Sequence, residues 1–181
     1  MNLFWAKGYE GTQVSDLTAA MGINPPSFYA AFGSKEVIFR EALDVYLATV
    51  AAETMGVLDT IPDAVAAVRA MLRASADTAL ASPSSEGCMI SLGLLNHQPQ
   101  NEPLRVHLRD LRRTTTERIR QRLERGVADG QLAADTNTAR LATFFAMILQ
   151  GLSVQARDGA TSDDLAGLVA SAMAILNPSP R

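Results

Sequence analysis

The sequence predicts an all-α protein, and three observations support that prediction. No segment of the 181 residues alternates apolar and polar residues convincingly, as a half-buried strand would. Alanine, leucine and arginine, which favour helices, dominate throughout. Glycine and proline divide the chain into lengths suited to about nine helices. After the first four helices, breaks fall near Ile61-Pro62, Ser82-Pro83, Gln98 to Pro103, Gly130 and Gly159.

The first helix is short. Before Gly8, which is placed to end it, stand only the seven residues MNLFWAK, or about two turns. Leu3, Phe4 and Trp5 are apolar as if they belonged to a longer amphipathic helix. We therefore expect that this chain lacks the N-terminal half of its first helix.

The second helix is predicted to begin after Thr12, whose hydroxyl can accept a backbone N–H of the next turn. Val14, Leu17 and Met21 follow at helical spacing and mark its buried face. Gly22 is placed to end this helix, so that the chain turns sharply into the next one.

A third helix starts after a bridge of one residue. Asn24 is a strong N-cap type, and Pro25 and Pro26 take the first two helical positions, where a missing N–H removes no intrahelical bond. Because Pro26 has no N–H, the Asn24 side chain can satisfy only the backbone N–H of Ser27. The cap should depend on that single hydrogen bond.

The rest of the third helix has an inner and an outer face. Phe28, Ala31 and Phe32 lie at i, i+3 and i+4 and should face inward, whereas Tyr29 points away from them. A short helix with an exposed tyrosine, entered through a glycine turn, is typical of a helix-turn-helix. In that motif the second helix enters the major groove of DNA and presents its first residues to the bases.

The fourth helix is predicted to begin at Ser34, acting as N-cap, and Lys35. The positive end of that helix, with the Lys35 ammonium beside it, favours a phosphate site. Its inner stripe consists of Phe39, Leu43, Tyr46, Leu47 and Val50.

The run from Gly8 to Phe39, GYEGTQVSDLTAAMGINPPSFYAAFGSKEVIF, resembles the DNA-binding domain of the tetracycline-repressor (TetR) family of bacterial regulators. Shared features are a glycine-aromatic-x-x-threonine entry, a glycine turn, and an aromatic pair before glycine-serine-lysine. The resemblance implies phosphate contacts from Thr12, Tyr29 and Lys35. It implies base-edge contacts from Pro25, Pro26 and Ser27, and Asn24 at the same helix start joins the predicted DNA-binding set.

Two features of this region depart from a typical DNA-binding surface. The family often has a polar residue and a glycine where this chain has Pro25 and Pro26, whose apolar rings suit a thymine methyl better than a polar base edge. From Met1 to Leu47, three basic residues stand against five acidic ones, a net charge of −2. DNA binding must therefore be local, and the resemblance places further basic residues in the missing part of the first helix.

We place a DNA-binding domain at residues 1–47 and a C-terminal helical domain, for effector binding and dimerisation, at residues 48–181. The long helix predicted from about Pro103 to Ala128 carries eight arginines. They are scattered around the helix and interleaved with acidic residues, which favours a solvated, ion-paired face over a nucleic-acid patch. These arginines are Arg105, Arg109, Arg112, Arg113, Arg118, Arg120, Arg122 and Arg125.

The segment from Asn137 to Gln155 leaves almost no polar face. A helix that is apolar all round needs cover on every side, and the last helix is apolar enough to supply part of it. The TetR resemblance implies that these two helices pair with their copies in a homodimer; the alternative is the centre of a monomer core. The dimer would hold two reading helices about 34 Å apart on a palindromic operator. The predicted interface residues are Phe145, Ile148, Leu152, Leu168 and Ala172.

The segment GCMISLGLL, residues 87–95, resembles the sixth helix of family members, which lines the ligand cavity. The resemblance implies a small, largely apolar effector, for which methionine-rich walls are well suited. Ordinary core positions are the alternative for each residue. The predicted lining residues are Met89, Leu92 and Leu95, with Phe144 and Met147 opposite.

The remaining chemistry of the sequence is sparse. Cys88, the single cysteine, is predicted to be buried and inert rather than a thiol sensor, and it favours a reducing cytoplasm. His97 and His107 lack metal-ligand spacing, no nucleophile motif is present, and no metal or cofactor is predicted. No apolar run approaches the roughly 18 residues of a membrane span.

We therefore expect a cytoplasmic, homodimeric regulator that binds double-stranded operator DNA and releases it when an effector binds. An all-α enzyme, or a protein-interaction module with a degenerate helix-turn-helix, are the alternatives. Salt-dependent, sequence-selective DNA binding separates the first hypothesis from both others.

Overall fold

The computed structural model describes residues 1–81 and 87–176. Within those residues every regular element is helical, as the sequence predicts. They form nine helical rods when the continuous run from Lys35 to Thr60 is counted once, in agreement with the predicted number. The predicted break at Ser82-Pro83 lies outside the described residues, and the other four breaks are confirmed.

The helices follow one another with short connections. A π-helical turn at Leu47–Ala51 joins α4 to α5, and the residues on both sides of it keep the helical backbone conformation. Their bounds are α1 Asn2–Gly11, α2 Val14–Met21, α3 Pro25–Phe32, α4 Lys35–Tyr46, α5 Ala52–Thr60, α6 Ala64–Ala81, α7 Met89–Leu92, α8 Glu102–Ala128, α9 Thr138–Arg157 and α10 Ser162–Met173.

The start of α2 differs from the prediction. Gln13, and not Thr12, is the N-cap: its backbone N–H donates to the Asp16 carboxylate at 2.9 Å and closes a capping box. Gly8 ends the regular part of α1 with φ 68° and ψ 178°, as predicted. The sharp change of direction at Gly8 places Thr12 in the core. Local sequence signals do not predict this change of direction.

The caps of α3 and α4 are confirmed. The Asn24 side chain accepts the backbone N–H of Ser27 at 2.9 Å, and the Ser34 hydroxyl accepts that of Val37 at 3.2 Å. The inward faces are narrower than predicted. Leu17 and Phe28 are buried, but Met21 and Ala31 are exposed because helices of only two turns meet the core along a narrow stripe.

Two groups of buried apolar side chains hold the molecule together. The C-terminal core lies between α5, α6, the second half of α8, α9 and α10, and includes Leu58, Met71, Leu72, Ile119, Leu123, Phe145 and Leu152. The N-terminal core is formed by side chains of α1, α2, α3 and α4. Side chains from α7, from the residues after it and from the first half of α8 also belong to it. Its members include Phe4, Tyr9, Leu17, Phe28, Phe39, Leu43, Met89, Ile90, Leu94, Leu104 and Leu108.

The arginine-rich helix is α8, and most of its arginines form the predicted ion pairs. Arg105 pairs with Glu102, Arg120 with Glu117 and Glu124, and both Arg118 and Arg125 with Asp59. Arg122 corrects the prediction, since it is buried and donates to the carbonyl oxygen of Ile61 at 3.3 Å. Arg112 also differs from the prediction, since its guanidinium donates to a carbonyl oxygen of α7 and not to a carboxylate.

Candidate DNA-binding surface and effector cavity

The first turn of α3 forms an exposed surface on a rigid base. Asn24, Pro25, Pro26 and Ser27 are all exposed, while Phe28 in the next position is fully buried and anchors the helix. The positive φ of Gly22, 67°, allows the turn between α2 and α3. Four consecutive predicted contact residues thus face solvent together.

Tyr29 is the large aromatic side chain of this surface. It is 51% exposed, and its ring lies edge-on to the Phe28 ring with centroids 5.4 Å apart. The exposed Tyr29 ring therefore packs against a buried aromatic neighbour.

Thr12 does not belong to the exposed surface. Its side chain is fully buried, and its hydroxyl donates to the carbonyl oxygen of Gly8 at 2.7 Å. In this structure the Thr12 side chain therefore offers no surface to a phosphate. Thr12 instead satisfies the carbonyl that the kink at Gly8 leaves without a helical partner.

Lys35 holds the end of α1 through hydrogen bonds. Its ammonium donates to the carbonyl oxygens of Tyr9 and Thr12, each at 3.0 Å, and lies 4.2 Å from the centroid of the Tyr9 ring. These carbonyls belong to the C-terminal end of α1, where a cation is favourable. Burial lowers the pKa of Lys35, although Glu10 opposes this effect. One of the three ammonium N–H groups remains for another acceptor.

All three basic side chains of the first 47 residues have internal partners. Besides Lys35, Lys7 lies 3.2 Å from the Asp16 carboxylate, and Arg40 lies 2.8 Å from that of Glu36. A hydrogen bond from the Gln13 backbone, followed by the ion pair with Lys7, holds the pKa of Asp16 below its usual value. None of these three cations is therefore without a partner inside the protein.

α1 is attached to the segment that surrounds α7. The Trp5 indole donates to the Gly87 carbonyl at 2.7 Å, and the Tyr9 backbone N–H donates to the Gly93 carbonyl at 2.8 Å. Further along, the Glu10 carboxylate accepts the Gln98 backbone N–H at 2.9 Å. Helix α1 is therefore hydrogen-bonded to the residues at both ends of α7.

A cavity of about 150 Å³ lies on the other side of α7. Helices α4 to α9 and the π-helical turn all contribute to its wall. Its apolar lining includes Leu47, Met55, Ile90, Leu111, Ala146 and Leu149, and its polar lining includes Tyr46, Cys88, Ser91, Thr115, Gln150, Arg112 and Arg118.

None of the five predicted effector residues lines this cavity. Met89 is buried in the N-terminal core and Leu92 is partly buried, while Leu95 is 60% exposed. On α9, Phe144 packs against the C-terminal core and Met147 is 58% exposed. The cavity is lined by other residues of the same segment and of α9, among them Ile90 and Leu149.

Cys88 is partly buried on the cavity wall, whereas the sequence predicts a buried cysteine. Tyr46 lies beside it. Burial, followed by the nearby Cys88 thiol, raises the pKa of the Tyr46 phenol. The Tyr46 ring also lies edge-on to the Trp5 ring of α1, with centroids 5.2 Å apart. One side chain thus touches both the cavity and the N-terminal helix.

The predicted dimer residues divide into two groups. Phe145, Leu152 and Ala172 are buried inside the protomer and therefore offer no exposed surface to a partner subunit. Ile148 is partly buried, and Leu168 is 37% exposed. The apolar side chains exposed on α9 and on the C-terminal segment that contains α10 are Met147, Val154, Leu168 and Ile175.

The described residues contain no group of three histidine, cysteine, aspartate or glutamate side chains able to hold a metal ion. In the same residues, no helix is both long and apolar enough to cross a membrane. His97 pairs with the Glu102 carboxylate at 2.7 Å.

An all-α chain with an exposed, capped reading helix after a glycine turn is a DNA-binding regulator of the helix-turn-helix class. The family model for bacterial regulatory proteins of the tetR family matches residues 1–42, and that for the tetracyclin repressor-like C-terminal domain matches residues 64–170. The chain belongs to the TetR family of bacterial regulatory proteins, as the sequence predicts.

Individual relatives agree with this assignment. The HTH-type transcriptional repressor ComR of Escherichia coli K12 is 30% identical over 91% of this chain and 79% of its own length. The repressor BdcR of the same organism is 31% identical over 94% of this chain and 81% of its own length. A cysteine-substituted form of the regulator CifR, in complex with double-stranded operator DNA, has a TM-score of 0.91 and 42% identity, covering 98% of this chain and 92% of that one. The chain is thus a regulator and not an enzyme.

Proposed function

We propose that this protein is a ligand-responsive transcriptional repressor that acts in the cytoplasm as a homodimer on a palindromic operator. The observation that carries the proposal is the solvent-facing first turn of α3, from Asn24 to Ser27, anchored by the buried Phe28. The relatives ComR and BdcR are named as repressors, and CifR binds operator DNA. Residues 1–47 would carry the DNA contacts, and residues 48–181 the effector and the partner subunit.

At the operator, Asn24, Pro25, Pro26 and Ser27 approach the base edges in the major groove. The two proline rings offer apolar contacts to thymine methyl groups, while Asn24 is already committed as helix cap. Tyr29 donates its hydroxyl to a phosphate, and Lys35 contributes its one remaining N–H. Few cations are free on this surface, so we expect a shallow salt dependence.

The homodimer would form through the exposed stripe of α9 and α10. Met147, Val154 and Leu168 are large apolar side chains in solvent, and Ile148 lies beside them. Burying such a stripe against its copy stabilises association through the hydrophobic effect. The paired helices would then fix the spacing of the two reading helices.

Effector binding in the cavity would reach the DNA through α7. Cys88, Ile90 and Ser91 line the cavity, and the same segment holds α1 through the carbonyls of Gly87 and Gly93. A ligand that favours a different position of this segment would move α1 and, with it, the reading helix. The coupling requires that the ligand binds the two positions with different affinity.

The first experiment measures binding to DNA from the protein's own promoter region. Tyr29→Ala should weaken operator binding by about tenfold or more, because it removes both the ring and the hydroxyl that contacts a phosphate. Tyr29→Phe removes only the hydroxyl and should weaken binding less. The sedimentation of both variants should equal that of the unchanged protein. Full operator affinity in Tyr29→Ala would contradict the assignment of α3.

Pro26→Gly tests base readout. If the proline ring contacts a thymine methyl, this variant should lose discrimination at one operator position, with little loss elsewhere. Unchanged relative affinities for operators with altered bases would show that Pro26 makes no direct contact with a base.

The interface is tested with a charge. Met147→Glu places a carboxylate in the proposed dimer face and should produce monomers that bind the operator weakly. Leu95→Glu is the matched control, because Leu95 is similarly exposed but belongs to the segment after α7 and not to α9 or α10. Dimers in Met147→Glu at the concentrations that sustain the unchanged dimer would place the interface elsewhere.

A further inference from the structure

The ion pairs around the cavity leave a positive charge on its wall. Of the lining residues, Arg112 and Arg118 carry a charge at neutral pH, and no aspartate or glutamate lines it in the part of the chain that the structure describes. Arg118 pairs with Asp59, whose carboxylate accepts its N–H at 2.7 Å and also pairs with Arg125. Arg112 forms no ion pair with the described residues and donates to the Ile90 carbonyl oxygen at 2.9 Å.

Arg112 is in an unfavourable position for a cation. It is partly buried, and burial, followed by the neighbouring Arg105, lowers the pKa of Arg112. Arginine nevertheless stays protonated in proteins, so the charge persists. A desolvated cation beside neutral groups is costly until an anion or several strong acceptors reach it.

The rest of the cavity is small and mainly apolar. Its volume of about 150 Å³ is that of a cavity that holds one benzene ring. Leu47, Met55, Leu111 and Leu149 provide the apolar wall. A ligand that satisfies both parts of this wall has one charged end and a short hydrocarbon body.

We infer that the effector is a small organic carboxylate, with one ring or a chain of about six carbons, whose charged group pairs with Arg112. The planar guanidinium presents parallel N–H groups that match both carboxylate oxygens, which gives direction as well as attraction. This inference rests on the proposed function, since it takes the cavity as the effector site.

The same arginine links the cavity to the DNA-binding module. Its N–H holds the Ile90 carbonyl of α7, and the two ends of that segment hold Trp5 and Tyr9 of α1. A carboxylate that draws the guanidinium into the cavity competes with the Ile90 carbonyl. Releasing α7 in this way would loosen the attachment of α1 and lower operator affinity.

The test compares carboxylates with their neutral amides. Benzoate and hexanoate are titrated into the full-length protein at neutral pH, beside benzamide and hexanamide, with acetate as a charged group without a body. Binding is followed by calorimetry and by the fluorescence of Trp5, the single tryptophan, which lies against Tyr46 of the cavity wall. We expect at least one carboxylate to bind about tenfold or more tightly than its amide, as a charge-assisted hydrogen bond implies.

Two variants assign the preference to its residue. Arg112→Gln should abolish the difference between carboxylate and amide, while Arg112→Lys should keep part of it. Arg113→Gln is the matched control: it removes the same charge from the next residue of α8, whose side chain is 72% exposed. It should retain the full preference. Circular dichroism establishes that each variant is folded before binding is compared.

The outcomes separate this inference from the proposed function. Equal affinity for acids and amides, no binding of either carboxylate at millimolar concentration, or an unchanged preference in folded Arg112→Gln overturns the carboxylate assignment. Release of the operator by an amide alone overturns it as well and leaves the repressor proposal intact. Carboxylate binding that depends on Arg112 without release of operator DNA supports the ligand class and contradicts the proposed regulation.

Discussion

Glu10 is the residue that ties the N-terminal helix most directly to the following domain. Its Oε1 atom accepts the backbone N–H of Gln98 at 2.9 Å and the Asn101 side-chain N–H at 2.8 Å. Burial favours the neutral carboxyl, but these hydrogen bonds outweigh burial and hold the pKa of Glu10 below its usual value. A carboxylate with a lowered pKa stabilises the fold while it is charged.

The sign of the pH dependence follows from this shift. The contribution of Glu10 is fully present above the ordinary glutamate pKa of about 4.5 and is lost as pH falls through the lower pKa of the folded state. Glu10→Gln should therefore cost about 1 kcal/mol of unfolding free energy at neutral pH and show a smaller loss towards about pH 3. Urea denaturation at several pH values measures both quantities.

Glu41→Gln is the control for Glu10→Gln. Glu41 is an exposed glutamate of α4 and makes no ion pair with the described residues. Its replacement should leave the stability at neutral pH almost unchanged. Parallel pH profiles for the unchanged protein and for Glu10→Gln would show that the hydrogen bonds from Gln98 and Asn101 do not favour the charged carboxylate.

Among the helices, α3 depends on its cap to an unusual degree. Pro25 and Pro26 remove two N–H groups, so the bond from Ser27 to Asn24 is the side-chain cap that remains. Asn24→Ala should lower the free energy of unfolding by about 1 kcal/mol, whereas Asn24→Asp retains an acceptor and should keep most of the stability. Thermal denaturation measures the difference.

For operator binding we expect the opposite order, with Asn24→Asp weaker than Asn24→Ala. Asn24→Asp adds a negative charge next to the operator phosphates and should weaken operator binding despite a stable fold.

Ser34→Ala removes the corresponding cap of α4 and should cost similar stability. Equal stability of Asn24→Ala and the unchanged protein would mean that water replaces the cap at no cost.

The crossing of α6 and α8 requires a glycine. A Cβ atom at Gly126 would lie 2.6 Å from the Cβ of Ala64, which is itself fully buried. Gly126→Ala should therefore destabilise the protein by about 1–3 kcal/mol, because the helices must separate. Gly56→Ala is the matched control in α5, where no atom lies within 4 Å, and should stabilise by up to about 1 kcal/mol. Chemical denaturation compares the two; a neutral Gly126→Ala would show that the helices can shift freely.

Across the whole molecule, the features predictable from sequence are those that a few neighbouring residues determine. The cap from Asn24 to Ser27, the cap at Ser34 and the turn at Gly22 each involve residues within one or two turns. The helix-turn-helix and its exposed tyrosine follow from such signals. They are the features of the predicted surface that depend on local sequence alone.

The environments that local sequence did not indicate involve partners that are distant in sequence. Thr12 and Lys35 have the residue types of phosphate ligands, but Thr12 bonds across the kink at Gly8, and Lys35 bonds the end of α1. For α9, which is apolar on nearly every side, periodicity does not indicate the side that faces its own domain. Phe145 and Leu152 turn inward and Met147 outward for reasons of packing between α6, α8 and α10.

The N-terminal hydrophobic core extends across the predicted domain boundary at residue 47. The N-terminal core takes Met89, Leu94, Leu104 and Leu108 from beyond this boundary, and all four side chains are buried. A fragment of residues 1–47 would expose the faces of Phe4 and Phe39 that these side chains cover. It would also be near the size at which a single core becomes insufficient.

We therefore expect the fragment 1–47 to be largely unfolded, although it contains the complete reading surface. Its circular dichroism should show little helix and no cooperative thermal transition, and it should not bind the operator selectively. The full chain is the positive control, and a fragment extended to residue 128 restores the missing side chains of α7 and α8. A cooperative transition in fragment 1–47 would show that α1 to α4 pack without α7 and α8. Coupling between effector and DNA would then depend on hydrogen bonds such as that from Trp5 to Gly87, and not on a shared core.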